Sequence, residues 1–387
     1  RYRIEKDLLG QRQVPAEAYY GIETLRGKEN FEITKRGICR QMIKALAIVK
    51  KAAAKANVDA LNIDEKVGKA IMLACDEILN GRLHGQFVTD LIQGGAGTSM
   101  NMNANEVIAN RANELLGGKK GVYDFVHPND HVNFGQSTND VIQTAGKIAI
   151  VKQLKKLQVE LKKLYNAYLN KATEFKDVIK MGRTHLQEAL PLRLGQEFSA
   201  YASALNRDMK RIDVAIEALL EVNMGATAIG TSLNANEKYR KKVIYYLNKF
   251  SGEQIKPAKD LIDATRNFDT FGQASSTLKL LALNLSKTAS DLRLMASSGS
   301  NGFSEITLPH VQPGSSIMPG KYNPVVPEMV NQVCFYVIGL DVTITKAIEA
   351  GQLELNVFGP IILMSLFEQI TTLREQLEPF IILQLVD

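Results

Sequence analysis

The sequence predicts a mainly α-helical protein in which a bundle of long helices follows a smaller, mixed but mostly helical domain. Three stretches carry apolar residues three and four positions apart, the spacing that places them on one face of a helix. Two further helix-compatible apolar runs lie near the end of the 387-residue chain. The first third instead has shorter helical runs, several glycines and turn signals such as HPND. We therefore expect an N-terminal domain over residues 1–138 and a central five-helix bundle over residues 139–387.

The long helices are predicted one by one from their apolar faces. The first face comprises Val151, Leu154, Leu157, Leu161, Leu164 and Tyr168. The second comprises Leu194, Phe198, Leu205, Met209, Ile212, Ile216 and Leu219. The third comprises Leu278, Leu281, Leu285 and Leu292. The last two helices are predicted from about Val325 to Glu349 and from about Pro360 to the chain end. Helices of this length exceed the average of about 11–12 residues, which favours a bundle.

The composition is that of an ordinary soluble globular protein, with 45% hydrophobic and 23% charged residues. The net charge of +6 is spread along the chain, so we expect no nucleic-acid partner and consider anionic small substrates more compatible. The three cysteines are odd in number, far apart and in no metal-ligand spacing. They predict neither disulfides nor a metal site, and they favour the reducing cytoplasm.

No membrane partner is expected from the hydropathy pattern. The first residues, RYRIEKDLLG, lack the apolar core of a signal peptide. The most apolar candidate for a span is VVPEMVNQVCFYVIGLDVTI, and four polar or charged residues interrupt it: Glu328, Asn331, Gln332 and Asp341.

Four polar loops between the predicted helices carry the candidate chemistry. They are QGGAGTSMNMNANE from Gln93 to Glu106, HVNFGQSTND from His131 to Asp140, GRTHLQ from Gly182 to Gln187 and GSSIMPGKYNP from Gly314 to Pro324. The glycines of GGAGTS let backbone amides approach an anion, although a flexible turn before a helix is equally compatible with them. QSTND is typical of a helix cap, and a capped helix N-terminus also attracts anions.

The last two loops contain the more reactive side chains. His185 in GRTHLQ is open to a structural or a catalytic interpretation. GSSIMPGKYNP is the most specific stretch, because proline and glycine exclude regular structure and a plain loop does not need two serines, a lysine and an asparagine. Lys321 and Asn323 are suited to holding a carboxylate, and a serine there is a candidate nucleophile or base. A Ser/His/Asp triad would lack the usual G-x-S-x-G elbow.

Taken together, the four loops resemble those of the aspartase/fumarase superfamily of lyases. GSSIMPGKYNP is similar to the superfamily signature GSSxMPxKxNP, and the order of elements is similar over nearly the whole chain. QGGAGTS, NPVVPE and NMGATAIGT are more similar to the aspartase branch than to the fumarases. The resemblance implies reversible elimination of ammonia from L-aspartate to give fumarate, without an organic cofactor. A fumarase-like hydratase, another lyase of the superfamily and a catalytically silent structural homologue are the alternatives.

The resemblance also implies roles for individual residues. Removal of a Cβ proton beside a carboxylate builds a dianionic enediolate, so donors are expected around that carboxylate. The implied base is Ser315, on a mobile loop that closes over the substrate. The implied carboxylate-holding residues are Thr98, Ser137, Thr138 and Ser316 on the reacting side, and Thr184, Lys321 and Asn323 on the α-carboxylate. Asn139, His185 and Thr98 are implied around the amino group, and Glu328 as the partner of the histidine. Tyr322 departs from the superfamily pattern, which usually has a small aliphatic residue between the lysine and the asparagine.

The resemblance further implies a homotetramer with active sites shared between subunits. A helix of about 30 residues spans about 45 Å, so loops at opposite ends of one subunit's helices cannot all meet. Packing of bundles from several chains around a tetrameric helical core would bring them together. Superfamily members usually carry a small C-terminal domain after the last bundle helix, and we expect this sequence not to include it.

Overall fold

The computed structural model describes residues 1–381 and is mostly helical, as predicted. The helices are α1 (Ile22–Asn30), α2 (Arg40–Asp59), α3 (Glu65–Leu79), α4 (Thr98–Leu115), α5 (Thr138–Glu174), α6 (Leu194–Leu219), α7 (Glu237–Ser251), α8 (Leu261–Arg266), α9 (Asp269–Met295), α10 (Val325–Glu349) and α11 (Gly359–Phe380). The strands form three two-stranded sheets. These pair β1 (Tyr2–Asp7) with β2 (Gly10–Pro15), β3 (Ile179–Thr184) with β4 (Gln187–Arg193), and β5 (Glu221–Val222) with β6 (Lys256–Pro257).

The chain divides into two compact units. Unit 1 comprises Arg1–Lys152, Glu217–Phe271 and Ile344–Met364. Within it, α2 packs against α3 and α7. Helix α4 is buried along most of its length, and its buried asparagines hydrogen-bond to the loops around it. Unit 1 therefore holds the beginnings of α4 and α5 against a well-packed helical layer.

Unit 2 comprises Gln153–Ile216, Gly272–Thr343 and the residues from Ser365 onward. Side-chain hydrogen bonds join its five long helices in a closed series. The donors and acceptors are Gln158 and Met209 for α5 and α6, Asn284 and Asp208 for α9 and α6, Asn331 and Ser286 for α10 and α9, Gln369 and Val337 for α11 and α10, and Arg374 and Gln153 for α11 and α5. The predicted five-helix bundle is confirmed.

The predicted apolar faces are also confirmed. Every residue named on the three faces is buried except Met209, which is half-buried. The last helix begins one residue before the predicted start, and residues 382–387 lie outside the described part of the chain. The proposed domain boundary after residue 138 stays a prediction.

The prediction that GRTHLQ is a loop between helices is wrong. Thr184 ends β3 and Gln187 begins β4, so only His185 and Leu186 form the turn of a β-hairpin. Both turn residues have positive φ, 56° and 58°, which is the geometry of a type I′ turn. The sequence does not signal this hairpin because type I′ turns strongly favour Asn-Gly, which is absent here.

Among the described residues, α10 is the one helix long and apolar enough to cross a membrane by length and composition. A single such helix is a weak indication, because core helices of soluble proteins pass the same test.

Candidate active site

The predicted site residues lie in two groups, one in each compact unit. Unit 1 contains Thr98, Ser137, Thr138 and Asn139. Unit 2 contains Thr184, His185, Ser315, Ser316, Lys321, Asn323 and Glu328.

The first group centres on the cap of α5, residues Ser137–Asp140, which we call the α5 cap. Ser137 Oγ accepts a hydrogen bond from the Asn139 amide at 3.2 Å, and Asp140 Oδ1 accepts one from the Ser137 amide at 2.9 Å. This reciprocal pair is a capping box with aspartate in the third helical position. Because the backbone amides occupy these acceptors, the hydroxyl proton of Ser137 is free to be donated elsewhere.

Asp140 also fixes the start of the NMGATAIGT stretch. Its Oδ2 accepts hydrogen bonds from the Gly225 amide at 3.0 Å and the Thr227 amide at 3.2 Å. Complete burial raises the pKa of Asp140 to about 6, while these backbone donors and the charge of Lys50 oppose the rise. The same stretch contacts Asn139, whose Nδ2 donates to the Ala228 carbonyl at 2.6 Å. Asn139 therefore keeps its amide oxygen and one N–H available.

Thr98 is the first residue of α4 and is exposed. It follows Gly97, whose φ of 96° lies in the left-handed region that favours glycine. Thr98 Oγ1 lies 2.6 Å from the Gly95 carbonyl oxygen, which can only accept. The hydroxyl of Thr98 therefore donates to its own turn and presents an acceptor to the surroundings.

Sequence reasoning missed a buried network beneath the α5 cap. Lys50 on α2 is fully buried, and its Nζ donates to Asn133 Oδ1 and Gln136 Oε1, each at 2.9 Å. Asn101 Nδ2 contacts the same Asn133 oxygen at 3.3 Å and Thr138 Oγ1 at 3.2 Å. Burial lowers the pKa of Lys50 to about 7. One signal was available: Lys50 lies four residues after Leu46, in line with the apolar face of α2.

The second group begins with the hairpin turn that carries His185. Thr184 and His185 are exposed, and among the described residues their side chains have no hydrogen bond or ion pair. The neighbouring Arg183 forms an ion pair with Glu305, and its guanidinium carbon lies 4.4 Å from the centre of the Phe303 ring. The hairpin is thereby fastened to the segment that precedes the last polar loop.

That loop, Gly314–Pro324, is irregular as predicted, and we call it the serine loop. Ser315 Oγ accepts hydrogen bonds from the backbone amides of Ile317 at 3.2 Å and Met318 at 3.1 Å. Two N–H dipoles aimed at one oxygen favour its negatively charged form. In this arrangement both amides would stabilise a negative charge on Ser315 Oγ.

The ends of the serine loop are joined at Gly314. The Gly314 amide donates to the Lys321 carbonyl at 2.9 Å, and Asn323 Nδ2 donates to the Gly314 carbonyl at 2.8 Å. A Cβ at position 314 would lie 2.3 Å from the Lys321 oxygen, so only glycine fits there. One N–H of the Asn323 side chain therefore stabilises the loop, and the second N–H can be donated to a substrate.

The remaining predicted residues have few contacts. Lys321 and Ser316 are exposed, and within the described chain neither side chain has a hydrogen-bond or ion-pair partner. Glu328 lies in the first turn of α10. No hydrogen bond or ion pair joins Glu328 to His185 within residues 1–381 of this chain, so their partnership stays a prediction.

Comparison with known proteins defines the class. A lyase family model matches residues 10–339. Aspartate ammonia-lyase from Bacillus subtilis is 55% identical over 379 residues, covering 98% of this chain and 80% of that protein. The crystal structure of a fumarate lyase:delta crystallin from Brucella melitensis superposes with a TM-score of 0.98 at 47% identity, covering this whole chain and 84% of that one. Recombinant class II fumarase from Schistosoma mansoni superposes with a TM-score of 0.97 at 35% identity, covering this whole chain and 85% of that one.

The chain therefore belongs to this lyase family, and the predicted resemblance to the aspartase/fumarase superfamily is confirmed. Within it, the chain is similar to aspartate ammonia-lyases at 50–55% identity over nearly its full length.

Proposed function

We propose that this protein catalyses the reversible elimination of ammonia from L-aspartate to give fumarate. The observation that carries the proposal is the pair of backbone amides on Ser315 Oγ. A serine hydroxyl is a poor base at its ordinary pKa, and stabilisation of its oxyanion is what a serine base requires. The similarity to aspartate ammonia-lyases supports the choice of substrate.

The proposed reaction has two steps. The Ser315 oxyanion takes a proton from Cβ, and the electron pair of that C–H bond moves into the adjacent carboxylate to give a dianionic enediolate. The pair then returns to form the Cα–Cβ double bond, and the Cα–N bond breaks with release of ammonia. Donors placed around the enediolate lower the barrier because its charge develops during the first step.

The hydroxyl groups of unit 1 differ in whether they accept or donate a hydrogen bond within the protein. This difference supports separate roles for them. Ser137 and Thr138 each accept from an amide, so their protons can be donated to the reacting carboxylate. Thr98 already donates to a carbonyl, so it is better suited to accept from the substrate ammonium group. Asn139 can add its free amide oxygen to the same ammonium group.

The α-carboxylate is assigned to residues of unit 2. Lys321 supplies a full positive charge and Asn323 one amide donor, with Thr184 as a third contact. His185 is assigned to the amino group and Glu328 to the histidine. Ser316 adds a further hydroxyl beside the base.

We infer a cytoplasmic homotetramer in which each active site draws on three subunits. Support comes from apolar residues exposed on one face of α10, where Phe335 is 61% and Val342 is 59% exposed. These residues are seven positions apart and so lie on the same side of the helix. A bundle with such a face needs a partner, and a second copy of the bundle would supply one.

One assay tests the proposal against its main alternative. The protein is incubated with L-aspartate and, separately, with L-malate, and the absorbance of fumarate is followed. We expect fumarate from aspartate only. Formation from malate alone would establish a hydratase, the alternative that the class II fumarase similarity favours. Activity on neither substrate would indicate a silent homologue.

A further inference from the structure

The buried lysine below the α5 cap determines the orientation of two side-chain amides. Lys50 Nζ donates to Asn133 at 2.9 Å, so the atom of Asn133 that faces the lysine is its amide oxygen. No ion pair engages Lys50 among residues 1–381. The side chain is completely buried, so this contact cannot be replaced by bulk water.

The orientation of Asn133 fixes that of Asn101. The atom of Asn101 that lies 3.3 Å from the Asn133 oxygen must be the NH₂ group, since two oxygens would repel each other. This orientation leaves Asn101 Oδ1 buried and without a hydrogen-bond partner among residues 1–381.

The same NH₂ group lies 3.2 Å from Thr138 Oγ1. Because an amide NH₂ group cannot accept a hydrogen bond, the Thr138 oxygen is the acceptor and the Thr138 hydroxyl does not donate its proton to Asn101. The proton is left to be donated on the other side of the oxygen.

We propose that Lys50, Asn133 and Asn101 form a hydrogen-bond relay that keeps the Thr138 hydroxyl a donor to the reacting carboxylate. Lys50 and Asn101 are positioning residues in this relay and do not touch the substrate. The relay rests on the proposed function, in which Thr138 contacts that carboxylate. The relay has its largest effect on the step that forms the enediolate, because a hydroxyl donor that is already oriented needs no reorientation as negative charge develops.

A double-mutant cycle on Asn101 and Thr138 tests the relay. The variants are Asn101→Leu, Thr138→Val and the pair, and the measured quantity is kcat/KM for L-aspartate. Asn101→Leu should lower kcat/KM by roughly ten- to hundredfold in the native background. In the Thr138→Val background the same change should cost no more than about twofold, because the hydroxyl through which Asn101 acts is gone. Thr138→Ser, which keeps a hydroxyl, should preserve the sensitivity to Asn101→Leu.

Lys50→Met tests the origin of the relay and has a matched control. Lys147 is also buried, lies on α5 and donates to the Glu221 carbonyl at 2.6 Å, without contact to the relay residues. Both Lys→Met variants should lower the unfolding temperature. Only Lys50→Met should reduce kcat/KM, and this loss should shrink in the Thr138→Val background as it does for Asn101→Leu. If Lys50→Met does not fold, the double-mutant cycle on Asn101 and Thr138 still tests the relay.

The outcomes separate the relay from the function on which it rests. Full additivity of Asn101→Leu and Thr138→Val would overturn the relay while leaving Thr138 in the site. Unchanged kcat/KM in folded Lys50→Met would overturn the role of the lysine. A native enzyme inactive on aspartate, or an unaffected Thr138→Val variant, would overturn the proposed function or the role of Thr138, and the relay with it.

Discussion

The α5 cap and the serine loop are both assigned to the substrate, yet they are built in opposite ways. The α5 cap rests on buried residues: Asn101 on α4 donates to Thr138 of the cap, and the buried Asp140 within the cap accepts from the Ser137 amide. Lys50 lies beneath the cap and donates to Asn133, which in turn contacts Asn101. The serine loop is mostly exposed, and the hydrogen bonds that shape its Gly314–Asn323 span come from the span itself.

The proposed function assigns two different catalytic contributions to these segments. Donors that must meet a developing charge gain from being fixed beforehand, because no reorganisation is then needed during the reaction. A base that must approach the substrate and exclude water gains from a segment that can open and close. Under the proposed function, the fixed α5 cap and a serine loop that moves over the substrate should respond differently to substitution.

The largest effect is expected for Ser315→Ala in the serine loop. Loss of the base should lower kcat by about 10²–10⁴-fold while KM stays within a few-fold, because the binding groups remain. Steady-state kinetics on L-aspartate measure both values. Ser304→Ala is a matched control and should keep near-native kcat, since within residues 1–381 the Ser304 hydroxyl bonds to the backbone carbonyls of Ser297 and Gly299. A Ser315→Ala enzyme with near-native kcat would show that another group takes the proton.

Lys321→Ala should affect binding more than the chemical step. Removal of a charged hydrogen-bond donor from a carboxylate should cost about 1.5–3 kcal/mol, which raises KM roughly ten- to hundredfold. The same kinetic measurement on L-aspartate checks this. Unchanged KM and kcat would remove Lys321 from the site.

The buried carboxyl group of Glu106 should make the free energy of unfolding depend on pH. Glu106 on α4 is 2% exposed, and burial raises its pKa to about 7, while hydrogen bonds from Thr24 oppose the rise. Because the pKa of Glu106 is higher in the folded than in the unfolded protein, protonated Glu106 favours the folded state. Its contribution to the free energy of unfolding is complete below the unfolded pKa of 4.5 and is lost as pH rises through 7. The loss should be about 3 kcal/mol.

Glu106→Gln is the variant that checks this dependence. Its free energy of unfolding, measured in urea at pH 5 and pH 8, should fall less than that of the native protein between the two values. Glu237→Gln, on the exposed surface, is the control and should follow the native profile. Parallel profiles for the native protein and Glu106→Gln would contradict the assignment.

Subunit mixing tests whether the serine loop of one chain meets the His185 hairpin of another. Ser315→Ala and His185→Ala should each be inactive alone. When the two are unfolded together, mixed equally and refolded, about a quarter of the sites should combine a native serine loop with a native histidine, if these come from different chains. The assay is aspartate turnover, with native mass spectrometry to verify mixed tetramers. Mixed tetramers without recovered activity would place both residues on one chain.

The sequence predicted the bundle well because its signal is repetitive. Each long helix repeats the same apolar spacing many times, so a single exception such as Met209 does not obscure the pattern. The capping role of QSTND was equally local, since it requires only residues within one helical turn.

The features that escaped prediction depend on contacts distant in sequence or on unusual backbone. Asn101 contacts Asn133 and Thr138 in the folded chain, and no residue spacing in the sequence predicts these contacts. The hairpin at His185 depends on two residues with positive φ that are not glycine. Such residues carry a conformational cost of order 1–3 kcal/mol each, and they cluster at functional sites.

The smallest effect is expected for Tyr322, the residue that departs from the superfamily pattern. Its ring is 48% exposed and stacks on His310, with ring centres 3.8 Å apart and planes 8° from parallel. The stack joins the serine loop to the segment just before it, so Tyr322→Val should loosen the loop without removing any group assigned to the substrate. We expect KM for L-aspartate to rise about two- to tenfold with kcat nearly unchanged, because one aromatic pair contributes about 0.5–1.5 kcal/mol. Tyr322→Phe keeps the stacked ring and should behave as the native enzyme. A Tyr322→Val enzyme with higher activity or a broader range of amines would instead mean that the tyrosine faces the substrate.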